Sequence, residues 1–119
     1  SPLAGVAHYL ALDFARALLE QDHKLDRVFF YQDAVYVGIN GQTPIQGQEP
    51  LAHAWANLAK QHNFPLQLCI ANAIRRGVVD EAERNRYQLP ATTLANGFVL
   101  AGLGEMATAC KESDRVIRF

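Results

Sequence analysis

Cysteine is scarce in this chain, with two among 119 residues. A single domain of that length buries one core without help from cross-links, so the disulfide framework of a small secreted protein is not expected. Cys69 and Cys110 are expected to be free thiols in a reducing, cytoplasmic setting. Unbalanced charge is missing too: the formal net charge is -1 and 19% of residues are charged. No global field draws nucleic acid or lipid, and any partner must be read by a local site. No apolar run approaches the roughly 20 residues that span a bilayer. The opening stretch SPLAGVAHYLALDFARALL carries Asp13 inside its apolar pattern and no basic leader, and reads as a helix of the fold. Cys-x2-Cys and His-Glu-x-x-His patterns are lacking, and His8, His23, His53 and His62 show no ligand spacing, which argues against a metal site. No Gly-x-Gly-x-x-Gly follows a strand, and no serine or threonine stands in a nucleophile elbow.

What is present is an alternation of helical and extended periodicities. Over 7–21, Leu10, Phe14, Ala17 and Leu18 share one helical face while Asp13, Arg16 and Glu20 point away. The run 25–31, LDRVFFY, predicts a buried strand. Residues 38–50 gather Gly, Pro and polar amides without period and predict the one long loop, a candidate lid or docking element. A second helix is predicted from Pro50 to near Asn63, on the spacing of Leu51, Ala54, Trp55, Leu58 and Ala59. Then follow a strand at 66–70, a helical turn at 71–76 and Gly77 as its left-handed C-cap. DEAERNR at 80–86 predicts a solvated helical face. Beyond Pro90 come a strand in GFVLAG, a helix in LGEMATACKES and a terminal strand in DRVIRF. This order predicts one α/β domain over 1–119, a small layered fold with a mainly parallel sheet flanked by helices. A helix preceded only by SPLAGV lacks the strand that would feed it in a βαβ unit, so a first strand is expected to be missing from the sequence. Trp55 and Phe98 are expected in the core.

The two cysteines differ in setting. Cys110 falls on the stripe Leu103, Met106, Ala107, Cys110 of a predicted helix and is assigned to the core as a small hydrophobe. Cys69 shares a strand face with polar Gln67, opposite Leu66, Leu68 and Ile70, so its face is not plainly core. It ends a predicted parallel strand, where open α/β sheets place reactive groups. The helical element after it would favour an anion, and Arg75 or Arg76 could add to that effect by folding back. On these residues alone, a reactive and a structural thiol remain equally open. Five residues separate Cys69 from Arg75, the spacing of cysteine-dependent phosphatases, but Ile70, Ala71, Asn72, Ala73 and Ile74 include no glycine for an open anion nest. Phosphatase chemistry is therefore disfavoured.

Four segments, RVFFYQDAVY (27–36), LQLCIANAIRRGVVDEAE (66–83), GFVLAGLGEMATA (97–109) and DRVIRF (114–119), resemble the DsrE/TusD family of intracellular sulfur-relay proteins over nearly the whole chain. The resemblance implies a DsrE-like fold and a sulfurtransferase in which Cys69 carries sulfur as a persulfide. It further implies assembly with TusB-like and TusC-like subunits into a heterohexamer, a TusA-like sulfur donor and a TusE-like acceptor. The destination it implies is 2-thiolation of the tRNA wobble uridine; sulfur oxidation, or a scaffold subunit with an inert cysteine, are the alternatives. Such a relay needs no metal, flavin or nucleotide cofactor and no direct contact with nucleic acid or membrane. It does require that Cys69 be ionised, sheltered between transfers and reachable by its partners.

Overall fold

A computed structural model describes residues 2–41 and 49–119. Most of the loop predicted over 38–50 lies outside the described residues. The elements are α1 (Pro2–Glu20), β1 (Val28–Phe30), a 3-10 segment (Gln32–Gly38), α2 (Leu51–His62), β2 (Leu66–Cys69), α3 (Ile70–Arg75), α4 (Glu81–Arg86), β3 (Phe98–Ala101) and α5 (Leu103–Glu112). The 3-10 segment was not foreseen. Pro50 caps α2 rather than entering its first turn, and Asn63 closes that helix in the left-handed conformation at φ 55°. Gly77, at φ +76°, turns the chain after α3 as expected, a conformation glycine adopts without steric cost.

The described strands form one three-stranded parallel sheet in the order β1-β2-β3. Residues in register share a face, because side chains alternate along a strand. Val28, Leu66 and Phe98 therefore lie on one side, joined by Phe30, Leu68 and Leu100. The ring of Phe30 meets Trp55 of α2 edge-on at 5.6 Å and Phe98 at 6.0 Å, a geometry contributing about 0.5–1.5 kcal/mol beyond area burial. Trp55 and Phe98 are thus core residues, as predicted. The 3-10 segment closes on the same layer so tightly that a Cβ at Gly38 would stand 2.6 Å from Leu68 Cδ1. Any larger residue there would force the Leu68 side chain to move.

Gln67, Cys69, Val99 and Ala101 occupy the opposite side. Gln67 is buried and hydrogen-bonded at both ends: Arg27 Nη1 donates to its Oε1 at 3.3 Å, and its Nε2 donates to Glu105 Oε2 at 3.2 Å. All four residues of β2 are buried, so both faces of the central strand are covered. The expectation that the Gln67 and Cys69 face stands apart from the core is corrected on that point.

Three further expectations are overturned. The α1 face marked by Leu10 and Phe14 is exposed, and Leu12 and Ala15 are buried in its place. Cys110 is exposed. The Gln67–Glu105 contact turns the Glu105 and Ala109 face of α5 toward the sheet, and Ala109 is that helix's buried residue. At 100° per residue the Leu103, Met106, Ala107, Cys110 stripe then points roughly 140° away, which leaves Leu103 53% exposed. DRVIRF forms no strand. Its last residue stacks edge-on against Phe14 of α1, with ring centroids 5.5 Å apart, which takes the tail to a helix instead of the edge of β3. Val116, Ile117 and Phe119 stay exposed. No helix among the described residues is long and apolar enough to cross a membrane.

Candidate functional site

Cys69 is the last residue of β2 and the N-cap of α3, with φ -56° and ψ 117°. The strand-to-helix change follows from the residues: Leu-Gln-Leu-Cys fits a strand buried on both faces, and Ile-Ala-Asn-Ala-Ile-Arg offers a short helical stretch whose buried members are Asn72 and Ala73. The thiol therefore stands at the carboxyl end of the central strand of a parallel sheet, the address predicted for it. Its exposure is 1%, so the expectation of a reachable sulfur is not met in this conformation.

The side-chain hydrogen bond to Cys69 Sγ among the described residues comes from Asn72, whose Nδ2 lies 3.0 Å away and is itself buried. Asn72 is the third helical residue after the cap, the position from which a side chain reaches back to the cap residue in a capping box. The amide reaches sulfur here instead of a backbone N–H.

The two arginines singled out from the sequence do not converge on the sulfur. Arg75 ends α3 with its side chain exposed. Arg76 Nε pairs with Asp33 Oδ1 at 2.9 Å, and its Nη1 donates to the Asn72 carbonyl at 3.1 Å. Arg76 thus ties α3 to the 3-10 segment and fixes the turn that carries Asn72. Behind α3, Val78 and Val79 are buried, and Thr93 grips the chain there by accepting from Val79 N–H at 2.9 Å and donating to the Gly77 carbonyl.

Sequence reasoning missed Asn72, Asp33 and the Arg27–Gln67–Glu105 bridge. Asn72 left one trace, being the lone amide in the apolar run Cys-Ile-Ala-Asn-Ala-Ile at three residues from the cysteine. Asp33 and Glu105 left none, since their partners are distant in sequence. A cavity of about 210 Å³ lies apart from this site, bounded by Ile39, Asn40, Pro50, His53, Leu94 and Asn96; Cys69 does not line it. No cluster of three or more metal-ligating side chains occurs among the described residues.

The DsrE/DsrF-like family profile matches residues 1–119. The chain belongs to that family. Among curated DsrE/DsrF relatives, the proteins named Sulfurtransferase TusD from Salmonella dublin, Salmonella enteritidis and Salmonella gallinarum are each 44% identical over 109 residues, covering 92% of this chain and 85% of theirs. Among solved structures, the YchN protein from E. coli superposes with a TM-score of 0.72 at 28% identity, covering 93% of this chain and 85% of that one. The α/β fold with a parallel sheet flanked by helices is thus that of a DsrE-like protein.

Proposed function

We propose that this chain is a sulfurtransferase that accepts and passes on sulfur as a persulfide on Cys69. The sulfurtransferase assignment follows from its identity with relatives so named over most of its length and from its family. The observation that supports Cys69 as the carrier is its place at the end of β2 with the Asn72 amide against Sγ. Cys110, exposed on a stripe turned from the sheet, has no such side-chain donor among the described residues.

Loading begins when the Cys69 thiolate attacks the terminal sulfur of a donor persulfide. The S–S bond of the donor breaks and the donor leaves as a thiolate. In unloading, an acceptor thiolate attacks the terminal sulfur now on Cys69, and Sγ departs as the thiolate it was before. No oxidant or reductant is consumed. Both steps obey the rules of thiol–disulfide exchange, so they depend on thiolate fraction, nucleophilicity, leaving-group basicity and access. Because Sγ is buried, transfer requires local opening around α3 and the 3-10 segment.

The setting that fits this chemistry is the cytoplasm, within a heterohexamer with TusB-like and TusC-like subunits. A TusA-like donor and a TusE-like acceptor complete the relay, and the sulfur goes toward 2-thiolation of the tRNA wobble uridine. Arg75, exposed at the end of α3, serves docking of an acidic partner, and Arg76 serves the thiolate indirectly through the Asn72 turn. Burial of Cys69 favours a second reading, a scaffold subunit whose thiol is inert.

Mass spectrometry of the intact chain after exposure to inorganic polysulfide separates the two. Exposed Cys110 will react as well, so the measurement is made on Cys110→Ser. One added sulfur is expected, removable by a small thiol and absent in the further variant Cys69→Ala. Sulfur uptake confined to Cys110 in the unsubstituted chain, with none at Cys69 even when partner subunits are present, establishes the scaffold.

A further inference from the structure

The sulfur of Cys69 has two tasks in the proposed relay, on which this inference rests. It is the nucleophile when sulfur arrives and the leaving group when sulfur departs. A hydrogen bond that stabilises negative charge on Sγ acts differently on the two. It raises the thiolate fraction at a given pH but lowers intrinsic nucleophilicity, with a Brønsted slope of about 0.4–0.5, whereas a less basic sulfur always leaves faster. Once the thiol is fully ionised, such a donor no longer helps loading and still helps release.

Asn72 has the properties this task requires. Its Nδ2 lies 3.0 Å from Sγ and both side chains are buried, so the bond is not diluted by water. An amide donates without carrying a charge that would itself need solvation, and unlike a histidine or lysine it cannot hand Sγ a proton. Its backbone is held by Arg76 Nη1 on the Asn72 carbonyl, and Arg76 is held in turn by Asp33. We propose that Asn72 is a catalytic hydrogen-bond donor to Sγ whose principal effect is on the release step, in which the acceptor's sulfur forms a bond to the terminal sulfur while the bond from that sulfur to Sγ breaks and its electron pair returns to Sγ.

The test uses the full chain carrying Cys110→Ser, compared with the same chain bearing Asn72→Asp or Asn72→Leu. Asp keeps the shape and loses the N–H donor; Leu removes polarity altogether. Alkylation of Cys69 by iodoacetamide is followed across pH, and discharge of polysulfide-loaded protein by dithiothreitol is timed at fixed pH. Neither variant should lower the alkaline plateau of alkylation. Release should slow about tenfold, the scale of a hydrogen bond to a charged group. A purely packing role would depress the plateau and the release rate together, and that result overturns the proposal, as does a release rate unchanged in both variants. Should the Leu variant fail to fold, the Asp variant decides alone. Absence of sulfur uptake by the chain with Asn72 intact overturns the relay reading and the release role with it; uptake accompanied by unaltered release in the variants overturns the release role only.

Discussion

A histidine in the first helix reports on how the fold handles a titratable ring among apolar neighbours. His8 faces Phe30, with ring centroids 6.3 Å apart, and burial pushes its pKa below the ordinary value of 6.5. The folded chain therefore binds this proton less readily than the unfolded chain does. Above the unfolded value both states are neutral at His8 and stability is unaffected; as pH falls below about 6.5 the unfolded state gains the proton first and the fold loses stability, until the folded value is passed. Urea unfolding of the native chain should show a lower midpoint near pH 5 than near pH 8, and His8→Gln should reduce that difference. At this scale Cys69 was legible from the sequence because a strand-end cysteine before a helix is a local pattern. Its burial was not, because that depends on tertiary packing around the strand end, which no local pattern reports. Arg75 and Arg76 were read as neighbours of the sulfur, but proximity in sequence said nothing of Asp33, which claims Arg76 from a segment more than forty residues earlier.

Elements were most legible where periodicity ran long. The repeat of α2 located that helix to within one residue at each end, whereas α1 begins at Pro2, five residues before its expected start, and β2 ends at Cys69, one residue short of its expected end. α5 shows the limit of that reasoning. Its apolar stripe was visible, yet the helix lies with Ala109 buried and Glu105 accepting from Gln67, which leaves Leu103 and Cys110 exposed. The terminal run had the composition of a strand, but its aromatic end found Phe14. α4 is a helix of another kind, with no buried residue. Asp80 accepts from Glu83 N–H at 2.9 Å, acidic residues fill its first turn and basic residues its last, all favourable to the helix dipole. Such a helix depends on its cap. Asp80→Ala should cost about 1 kcal/mol, and because α4 has no residue in the core the loss should appear mainly as faster amide hydrogen exchange within Glu81–Arg86, with β2 protected as before.

For the molecule as a whole, the governing fact is that the proposed carrier sulfur is 1% exposed while its chemistry requires two different partners to reach it. Global unfolding is far too costly a route, so access must come from a sub-global opening, and α3, which starts right after Cys69, meets the 3-10 segment across a boundary that such an opening would part. Arg76 spans it, bonded to Asp33 on one side and to the Asn72 carbonyl on the other. Asp33 is largely solvated, and an exposed ion pair of this type is worth about 0–1 kcal/mol. The bridge is thus strong enough to bias a local equilibrium and too weak to decide the fold. Arg76→Ala should accordingly lower the urea-unfolding free energy by no more than about 1 kcal/mol, yet raise the rate of Cys69 alkylation several-fold at a pH where the thiol is ionised. Hydrogen exchange should quicken in α3 and the 3-10 segment and stay slow in β2 and β3. Unchanged or slower alkylation in Arg76→Ala would show that access to Sγ does not depend on this bridge, since removing a restraint on the opening cannot make the sulfur harder to reach.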